Sequence, residues 1–453
     1  TNGGDNDALT ITSGTGTVTF TGAVGATEEL GGLNVNGSAG NATITFTSTI
    51  GDADNAGVIG TTVIGGTAST ALNFNSTIYS FDGATTITAA AGDTIDLGAE
   101  AATTIKTAGD ALTFGTGTIE LKDGSNLTVT STGGAITIAG IAGTSNETVT
   151  INADGGSTNT ETVSLGNVGD SSAGEIHNLT VTADDGITLT GAIYTSQDGS
   201  AADITFNDKV IIDGTVVVDS NDSSNDGAIS FATSINGTGS GTDSLTINSG
   251  AGALTLQAIG GTTALTTLDI NTAATSTAAI TLPAIGGGSA GVTGAVNIGN
   301  SNTTTLTMNA TAYNTGGATD YEAASGSTIL LTADDPTVTV GGADLSFSTG
   351  NIVLSTAGTT TLTTGAGAAG GITVAGTIDG TNAQNEVLTL ISGSGAIALQ
   401  GTIGGTNSVT NLTINSAGAG TIELAGIGDA DTTGATGTAA IGNTSTTTLT
   451  LDG

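Results

Sequence analysis

One acidic run in the sequence has the composition of a cation-binding loop. It extends from Asp219 to Gly227, between the apolar residues Val218 and Ile229. Calcium in proteins is bound by about six to eight oxygen atoms from carboxylates, amides and main-chain carbonyls. Five side chains of the run carry such oxygens, and we predict that they bind calcium: Asp219, Asn221, Asp222, Asn225 and Asp226.

Four shorter runs have a similar composition: Asp52/Asp54/Asn55, Asp184/Asp185, Asp334/Asp335 and Asp429/Asp431. None of the five runs has the spacing of an EF-hand loop with its terminal Glu. Asp and Asn are also common in tight turns, because their side chains hydrogen-bond to nearby main-chain groups. Calcium binding and turn formation therefore both stay open for these runs.

The residues that most catalytic sites require are scarce. The chain has no Cys, no Arg and no Trp, a single His (His177) and three separated lysines, Lys106, Lys122 and Lys209. A lyase acting on an acidic polysaccharide needs a base and cations near the sugar carboxylate. A glycoside hydrolase needs only two carboxylates, which 40 acidic residues readily supply, but the four Tyr do not cluster into a sugar platform. We predict that the protein is not an enzyme, and a polysaccharide-acting enzyme is the remote alternative.

The formal net charge of −37 and the uneven composition exclude further classes of protein. Nucleic-acid binding needs cations that displace counterions from phosphates, so we expect no nucleic-acid partner. No stretch approaches the roughly 18 apolar residues of a membrane helix, and we expect no transmembrane segment. Disorder is also excluded, because 37% of the residues are hydrophobic and they alternate regularly with Thr.

One sequence frame returns along the whole chain. It consists of an apolar, a polar and an apolar residue, followed three to five residues later by another Ile or Val, as in Val18, Phe20 and Val24. Such alternation of β-branched residues between Gly, Asn and Asp predicts short strands. Successive frames mostly start 24 to 28 residues apart, and a second short strand, such as 127–129, follows in most units. Three gaps near 40 residues, at 72–112, 187–229 and 306–345, suggest insertions or longer coils.

Two or three short strands per unit of about 25 residues fit one rung, meaning one turn of the coil, of a parallel β-solenoid. A propeller blade needs about 40 residues and four strands, so it fits less well. We therefore predict an all-β protein, a parallel β-helix (β-solenoid) that runs as one continuous domain over residues 1–453. Six Phe residues share the second apolar position of the frame, and we expect them to stack in one internal column: Phe20, Phe46, Phe74, Phe114, Phe231 and Phe347.

Rows of outward Thr raise the alternative of ice binding. A Thr such as Thr19, Thr45 or Thr113 stands between the two apolar residues of many frames. A flat ice-matching face needs a second Thr two residues away in every rung. That position varies in this frame, through residues that include Asn75, Gly115, Ala139, Gly166, Pro283 and Gln400. We therefore interpret the Thr rows as the product of β propensity and a solvated, uncharged surface.

The segments 18–25 and 30–35, and likewise 254–270, resemble the β-strand repeats of large bacterial surface adhesins. They are similar to filamentous-haemagglutinin-like and autotransporter-passenger chains. The resemblance covers nearly the whole chain and implies an exported, right-handed β-helix on a cell surface. It implies no catalytic residue.

These observations predict a non-catalytic extracellular structural protein, which forms a rod-like filament, a sheath or an adhesin stalk. A cell-surface lattice protein of the S-layer type is the alternative. The repeat continues close to both ends of the sequence without a polar or Pro-rich cap, and open solenoid ends invite strand pairing. We therefore expect a segment of a longer chain or a subunit that associates end to end with copies of itself. Surface glycans or other cells are further expected partners.

Overall fold

The computed structural model describes residues 7–37, 42–144, 146–155, 160–170, 174–195, 201–221, 226–273, 275–365, 369–416 and 420–452. Over these residues the chain is all-β, with no helix, and its parallel strands stack as a β-solenoid of about 17 rungs spaced about 25 residues apart. The predicted fold class and rung length are confirmed. The chain divides into two compact units, Thr1–Ile211 with Val216–Gly227, and Ile212–Thr215 with Ala228–Gly453.

The strands up to residue 219 belong to the first unit, apart from Ile212 and Thr215. They are β1 (Ala8–Ile11), β2 (Val18–Phe20), β3 (Gly32–Val35), β4 (Thr43–Phe46), β5 (Thr62–Gly65), β6 (Ala71–Phe74), β7 (Ile78–Phe81), β8 (Thr85–Thr88), β9 (Thr94–Leu97), β10 (Thr103–Thr107), β11 (Leu112–Phe114), β12 (Thr118–Leu121), β13 (Leu127–Ser131), β14 (Ile136–Ala142), β15 (Thr148–Ala153), β16 (Val163–Val168), β17 (Asn178–Ala183), β18 (Ile187–Leu189), β19 (Ile193–Tyr194), β20 (Ile204–Phe206), β21 (Val210–Ile212) and β22 (Thr215–Asp219).

The later strands belong to the second unit. They are β23 (Ile229–Phe231), β24 (Ile235–Gly237), β25 (Ser244–Asn248), β26 (Leu254–Thr255), β27 (Thr267–Ile270), β28 (Ile280–Leu282), β29 (Val296–Ile298), β30 (Thr305–Met308), β31 (Ala312–Thr315), β32 (Thr319–Glu322), β33 (Thr328–Leu331), β34 (Thr337–Val340), β35 (Leu345–Thr349), β36 (Asn351–Leu354), β37 (Gly358–Thr363), β38 (Ile372–Val374), β39 (Ile378–Asp379), β40 (Glu386–Ser392), β41 (Ile397–Ile403), β42 (Asn411–Ser416), β43 (Thr421–Ile427), β44 (Ala439–Ile441) and β45 (Thr448–Leu451).

Hydrogen-bonded strands from successive rungs form columns. In the first unit, column A contains β1-β3-β5-β8-β11-β14-β16-β18, column B begins β2-β4-β6-β9-β12, and column C contains β7-β10-β13-β15-β17-β20. In the second unit, column D contains β25-β27-β29-β32-β35-β38-β41-β43-β45, column E contains β28-β30-β33-β36-β39, and column F contains β31-β34-β37-β40-β42-β44. Every rung therefore stabilises its neighbours through main-chain hydrogen bonds and a shared apolar interior.

The alternation along each strand determines which side chains enter the interior. In β15, for example, Val149 and Ile151 are fully buried, whereas Thr148 and Thr150, which alternate with them, face outward and are half-buried. Successive side chains of a strand point to opposite faces, so the apolar residues line the inside of the coil and Thr covers the outside.

The three long gaps in the sequence frame are neither insertions nor longer coils, and that prediction is wrong. Leu72 pairs with Ile95 of β9, only 23 residues later, and Leu306 pairs with Ile329. Strands β20, β21 and β22 likewise occupy the remaining gap, 187–229. The rungs in these gaps are of ordinary length, and β20 begins the frame itself, with Ile204 and Phe206 followed by Val210.

The prediction of one column of six Phe is also wrong, because the frame moves between columns. Phe20, Phe46 and Phe74 do stack, with ring centroids 4.6 Å and 5.3 Å apart and nearly parallel planes. The next residue of this column is Leu97. Phe114 lies in column A, aligned with Ile87 and Ile138, and Phe347 lies in column D between Tyr321 and Val374.

Glycine is required where one corner of the coil passes closely over the next. A Cβ atom on Gly25 would lie 2.0 Å from the carbonyl oxygen of Gly57, and one on Gly260 would lie 2.0 Å from that of Gly291. Both Gly25 and Gly260 also have positive φ angles, of 66° and 64°. The same pair of requirements in both units explains part of the high glycine content.

Candidate functional site

The predicted calcium loop begins at the end of β22. The Asp219 carboxylate accepts a hydrogen bond from the Asn221 N–H at 2.8 Å. The loop is closed at its base, where the buried Ser220 hydroxyl donates to the Gly227 carbonyl at 2.8 Å and the Gly227 N–H donates back to Ser220 at 3.1 Å. Asp226 lies next to this closure, whereas Asp222 and Asn225 lie outside the described residues. Calcium binding by this loop therefore stays a prediction.

Two of the shorter acidic runs form turns of the same kind. The Asp52 carboxylate accepts the N–H groups of Asp54 and Asn55 at 2.8 Å and 2.7 Å. The Asp429 carboxylate likewise accepts the N–H groups two and three residues further on, at 2.8 Å and 2.6 Å. These N–H groups hold the pKa of Asp52 and of Asp429 below the ordinary value. In both loops the acid has the turn-forming role that its residue type allows.

The two remaining runs, Asp184/Asp185 and Asp334/Asp335, make different contacts. Burial, followed by the neighbouring carboxylates of Asp154 and Glu161, raises the pKa of Asp184. The adjacent Asp185 instead forms an ion pair with Lys209, with Nζ and Oδ1 2.8 Å apart. In the remaining run, Asp335 has a φ angle of 51°, and its carboxylate accepts the Thr359 N–H of the following rung at 2.6 Å.

Buried carboxylates at three corners were not singled out from the sequence. Glu147 is fully buried between β14 and β15, and four donors surround it. The Thr144 N–H and hydroxyl donate at 2.7 Å and 2.5 Å, the Asn146 N–H donates at 3.3 Å, and the Gly124 N–H of the preceding rung donates at 3.1 Å. The carboxylate therefore joins its own loop to the rung before it.

Asp243 has the same role in the second unit. It is fully buried, and it accepts the N–H groups of Thr238 and Gly239 at 2.7 Å and 3.1 Å as well as the hydroxyls of Thr238 and Ser240. The Gly214 N–H donates to it from 29 residues earlier, at 3.3 Å. Burial alone would raise the pKa of Asp243, but the hydrogen bonds outweigh burial and lower it.

Glu386 is the third buried corner acid, and it has fewer donors. Its Oε1 atom accepts a hydrogen bond from the Thr381 hydroxyl. Its Oε2 atom is buried and has no hydrogen-bond partner among the described residues. The three loops share a sequence signal, in which Ile, any residue, Gly and Thr precede the acid: Ile141 to Glu147, Ile235 to Asp243, and Ile378 to Glu386. A strand begins directly after Glu147 and Asp243, and at Glu386 itself.

No protein family model, no curated protein and no solved structure matches this chain. The geometry of the described residues therefore carries the functional argument.

The remaining candidate side chains are separated from one another. Lys106 donates to the Ala53 carbonyl, and Lys122 lies 3.4 Å from the Asp96 carboxylate. His177 precedes β17, and its main-chain N–H donates to the Glu147 carbonyl at 2.8 Å. Within the described ranges, no group of three or more His, Asp or Glu side chains is arranged to hold a metal ion. In the same part of the chain, no helix is long and apolar enough to cross a membrane.

Proposed function

We propose that this chain is a non-catalytic extracellular structural protein, which serves as a rod-like filament, sheath or adhesin stalk on a cell surface. The supporting observation is that two of its buried carboxylates accept hydrogen bonds from two successive rungs. Catalytic carboxylates lie in clefts that a substrate can reach. Glu147 and Asp243 are instead buried, and main-chain N–H groups and hydroxyls from two rungs surround them. Their chemistry is used to hold successive rungs together.

Polar side chains on the strands support the same role. The Asn126 side-chain oxygen accepts the Thr148 N–H at 2.8 Å, and Asn178 accepts the Asp203 N–H at 2.7 Å. Asn411 accepts the Thr438 N–H at 2.8 Å in the second unit. Each asparagine reaches the rung that follows it, so side chains extend the main-chain ladder beyond the strands. Such repeated cross-links suit a molecule that must keep its form under load.

Imaging and labelling test this proposal. Antibodies against the 453-residue protein should label intact cells of the source organism by immunogold microscopy, and permeabilisation should add little signal. Label that appears only after permeabilisation would contradict the extracellular assignment. Negative-stain images of the purified protein should show rods or fibres, whereas a two-dimensional array would favour the alternative of a surface lattice.

Association along the coil axis is part of the proposal. Leu449 and Leu451 of β45 are 46% and 65% exposed, whereas Leu424 in the same column is 1% exposed. A further rung, whichever chain supplies it, would bury both leucines, and we propose that a second copy can supply it. Repulsion between copies of charge −37 opposes this step, and salt or calcium should relieve it.

Light scattering of the purified protein across a calcium and EDTA series measures that association. We expect larger particles with salt or calcium and dissociation with EDTA at low ionic strength. Leu451→Lys should weaken the association, and the exposed Leu9 of β1 is left unchanged in this variant. Monomeric protein in every condition would reduce the proposal to a stalk that does not polymerise.

A further inference from the structure

A groove of about 360 Å³ crosses four successive rungs on the outer face of the first unit. It extends over β9, β12, the second half of β14 and the end of β16. The strands are in register across it, because Ile119 pairs with Ile141 and Gly140 pairs with Asn167. The groove therefore runs along the coil axis and lies within one unit.

Small residues at its centre open the groove. In the row of outward positions that runs through Thr94 and Thr118, the next residue is Gly140, which has no side chain. In the parallel row, Glu120 is paired with Ala142. Both rows therefore lose their bulk at β14, and the neighbouring rungs form the walls.

The fold does not require glycine at residue 140. Its φ angle is outside the left-handed region, and a Cβ atom there would lie 3.5 Å from the Thr118 Oγ1 atom and 3.6 Å from the Asn167 carbonyl oxygen. These are ordinary contact distances, in contrast to the 2.0 Å at Gly25. Glycine inside a strand weakens it and often marks a place where a ligand approaches the main chain. The missing side chain therefore keeps the groove open at a cost in strand stability.

The lining of the groove is more acidic than the rest of the chain. Three of the twelve described lining residues are carboxylates, Asp93, Glu120 and Asp170, compared with 40 acidic residues among 453. The other nine are uncharged. Lys122 lies outside the lining, 3.4 Å from the Asp96 carboxylate. A cleft lined by charges of one sign concentrates ligands of the opposite sign, so the groove favours a cation.

The positions of the three acids favour a long cation over a metal ion. Asp93 and Asp170 belong to rungs three spacings apart, about 14 Å along the axis. Calcium needs its oxygen ligands around one point, and within the described residues no group of three acidic or His side chains is arranged in that way. Between the acids, Ala139, Gly140 and Ala142 form a small apolar floor. A ligand that contacts all three acids is therefore elongated, with positive charges separated by apolar segments.

We propose that the groove binds a linear polyamine such as spermidine. Its ammonium groups pair with the carboxylates of Asp93, Glu120 and Asp170, and its methylene chain lies over Gly140 and Ala142. A lysine-rich polypeptide carries the same alkylammonium groups, but a volume of about 360 Å³ is that of a small-molecule site. Binding at this site does not depend on whether the chain acts as a filament or as a stalk.

Isothermal titration calorimetry of the intact 453-residue protein with spermidine tests the proposal. Glu120→Gln removes one of the three charges of the groove. Glu423→Gln is the matched control, because Glu423 has the same place in a second Thr-Ile-Glu-Leu segment, in β43, and is likewise exposed. Both variants change the net charge equally, so the general attraction of a cation to the acidic chain affects them equally.

Gly140→Thr tests the groove without changing any charge. The new side chain continues the outward row of Thr94 and Thr118 and occupies the space in which the ligand lies. Because a Cβ atom fits at this position, the variant should melt no lower than wild type when followed by circular dichroism. A loss of binding in this variant therefore reports on the groove and not on unfolding.

We expect one spermidine to bind per chain, with an affinity that falls as salt is added. Glu120→Gln should weaken binding about fivefold, the effect of losing one partly exposed ion pair. Gly140→Thr should abolish binding, and Glu423→Gln should bind like wild type. The proposal would be overturned by equal losses in the two Glu variants, by undiminished binding in Gly140→Thr, or by wild type that shows no saturable binding. A pentalysine peptide that binds more tightly than spermidine at the same residues would overturn the choice of a small molecule.

Discussion

Two kinds of acidic corner in this molecule accept main-chain N–H groups, but they differ in what they connect. At the surface corner acids, Asp52 and Asp429, every donor belongs to the same short loop. At the buried corner acids, Glu147 and Asp243, one donor comes from an earlier rung, 23 or 29 residues away. The first kind shapes a loop, and the second joins neighbouring rungs of the coil.

The difference shows how burial changes the importance of the same hydrogen bond. If a surface carboxylate is removed, water can satisfy the N–H groups that it leaves. If a buried carboxylate is removed, its donors stay in the interior without an acceptor, and each costs about 1–3 kcal/mol. The loss of a buried corner acid should therefore weaken two rungs at once.

The largest expected effect is that of Asp243→Ala. It orphans the N–H groups of Thr238, Gly239 and Gly214, and we expect the free energy of unfolding to fall by about 3 kcal/mol. Urea denaturation followed by circular dichroism measures the loss, and hydrogen exchange should locate it near residue 243. The matched control, Asp52→Ala, should shift the urea midpoint far less. Equal shifts in the two variants would contradict the distinction between the corners.

Acid should remove the stabilisation by Asp243. Because its pKa is lowered in the folded chain, the ionised carboxylate stabilises the fold above its ordinary pKa of about 3.9, and this stabilisation is lost as the pH falls through the lower, folded value. We expect the difference in urea midpoint between wild type and Asp243→Ala to be largest above pH 4 or so and to narrow below it. A difference that is independent of pH would show that packing, and not the charge, stabilises this corner.

Glu147→Gln is expected to have a smaller effect than Asp243→Ala. The amide keeps the shape of the side chain, but its NH2 group replaces an oxygen that accepts the N–H groups of Thr144 and Asn146. We expect a loss of about 2 kcal/mol in urea denaturation. A variant as stable as wild type would mean that the donors at this corner have another acceptor.

The smallest effect is expected for Glu386→Gln. Among the described residues, the Thr381 hydroxyl is the one donor to this carboxylate, and the Oε2 atom has no partner there. The amide therefore orphans no donor, and we expect a loss below about 1 kcal/mol. A loss as large as that of Glu147→Gln would show that further donors reach Glu386 in solution.

The fold was predictable because its signal is local, whereas the positions of functional side chains were not. Alternation at residues such as Val149 and Ile151 identifies strands and their inward faces without knowledge of the neighbouring rung. The buried acids were missed because Glu147 looks like any polar loop residue, although the Thr144 that precedes it was a usable signal. The stacking of Phe46 on Phe74 was predicted correctly, but its extension to Phe114 was not.

The sequence by itself determined that the chain is all-β, that its rungs repeat about every 25 residues, and which side chains face inward. These properties follow from period-two alternation and from the glycine, Asn and Asp between strands. Only the tertiary structure decided which residues share a column. Partners in successive rungs are between 23 and 28 residues apart in column B, since corners differ in length. Parallel register is set by the packing of the interior, so Thr128, Thr150 and Thr180 became neighbours although no fixed spacing in the sequence relates them.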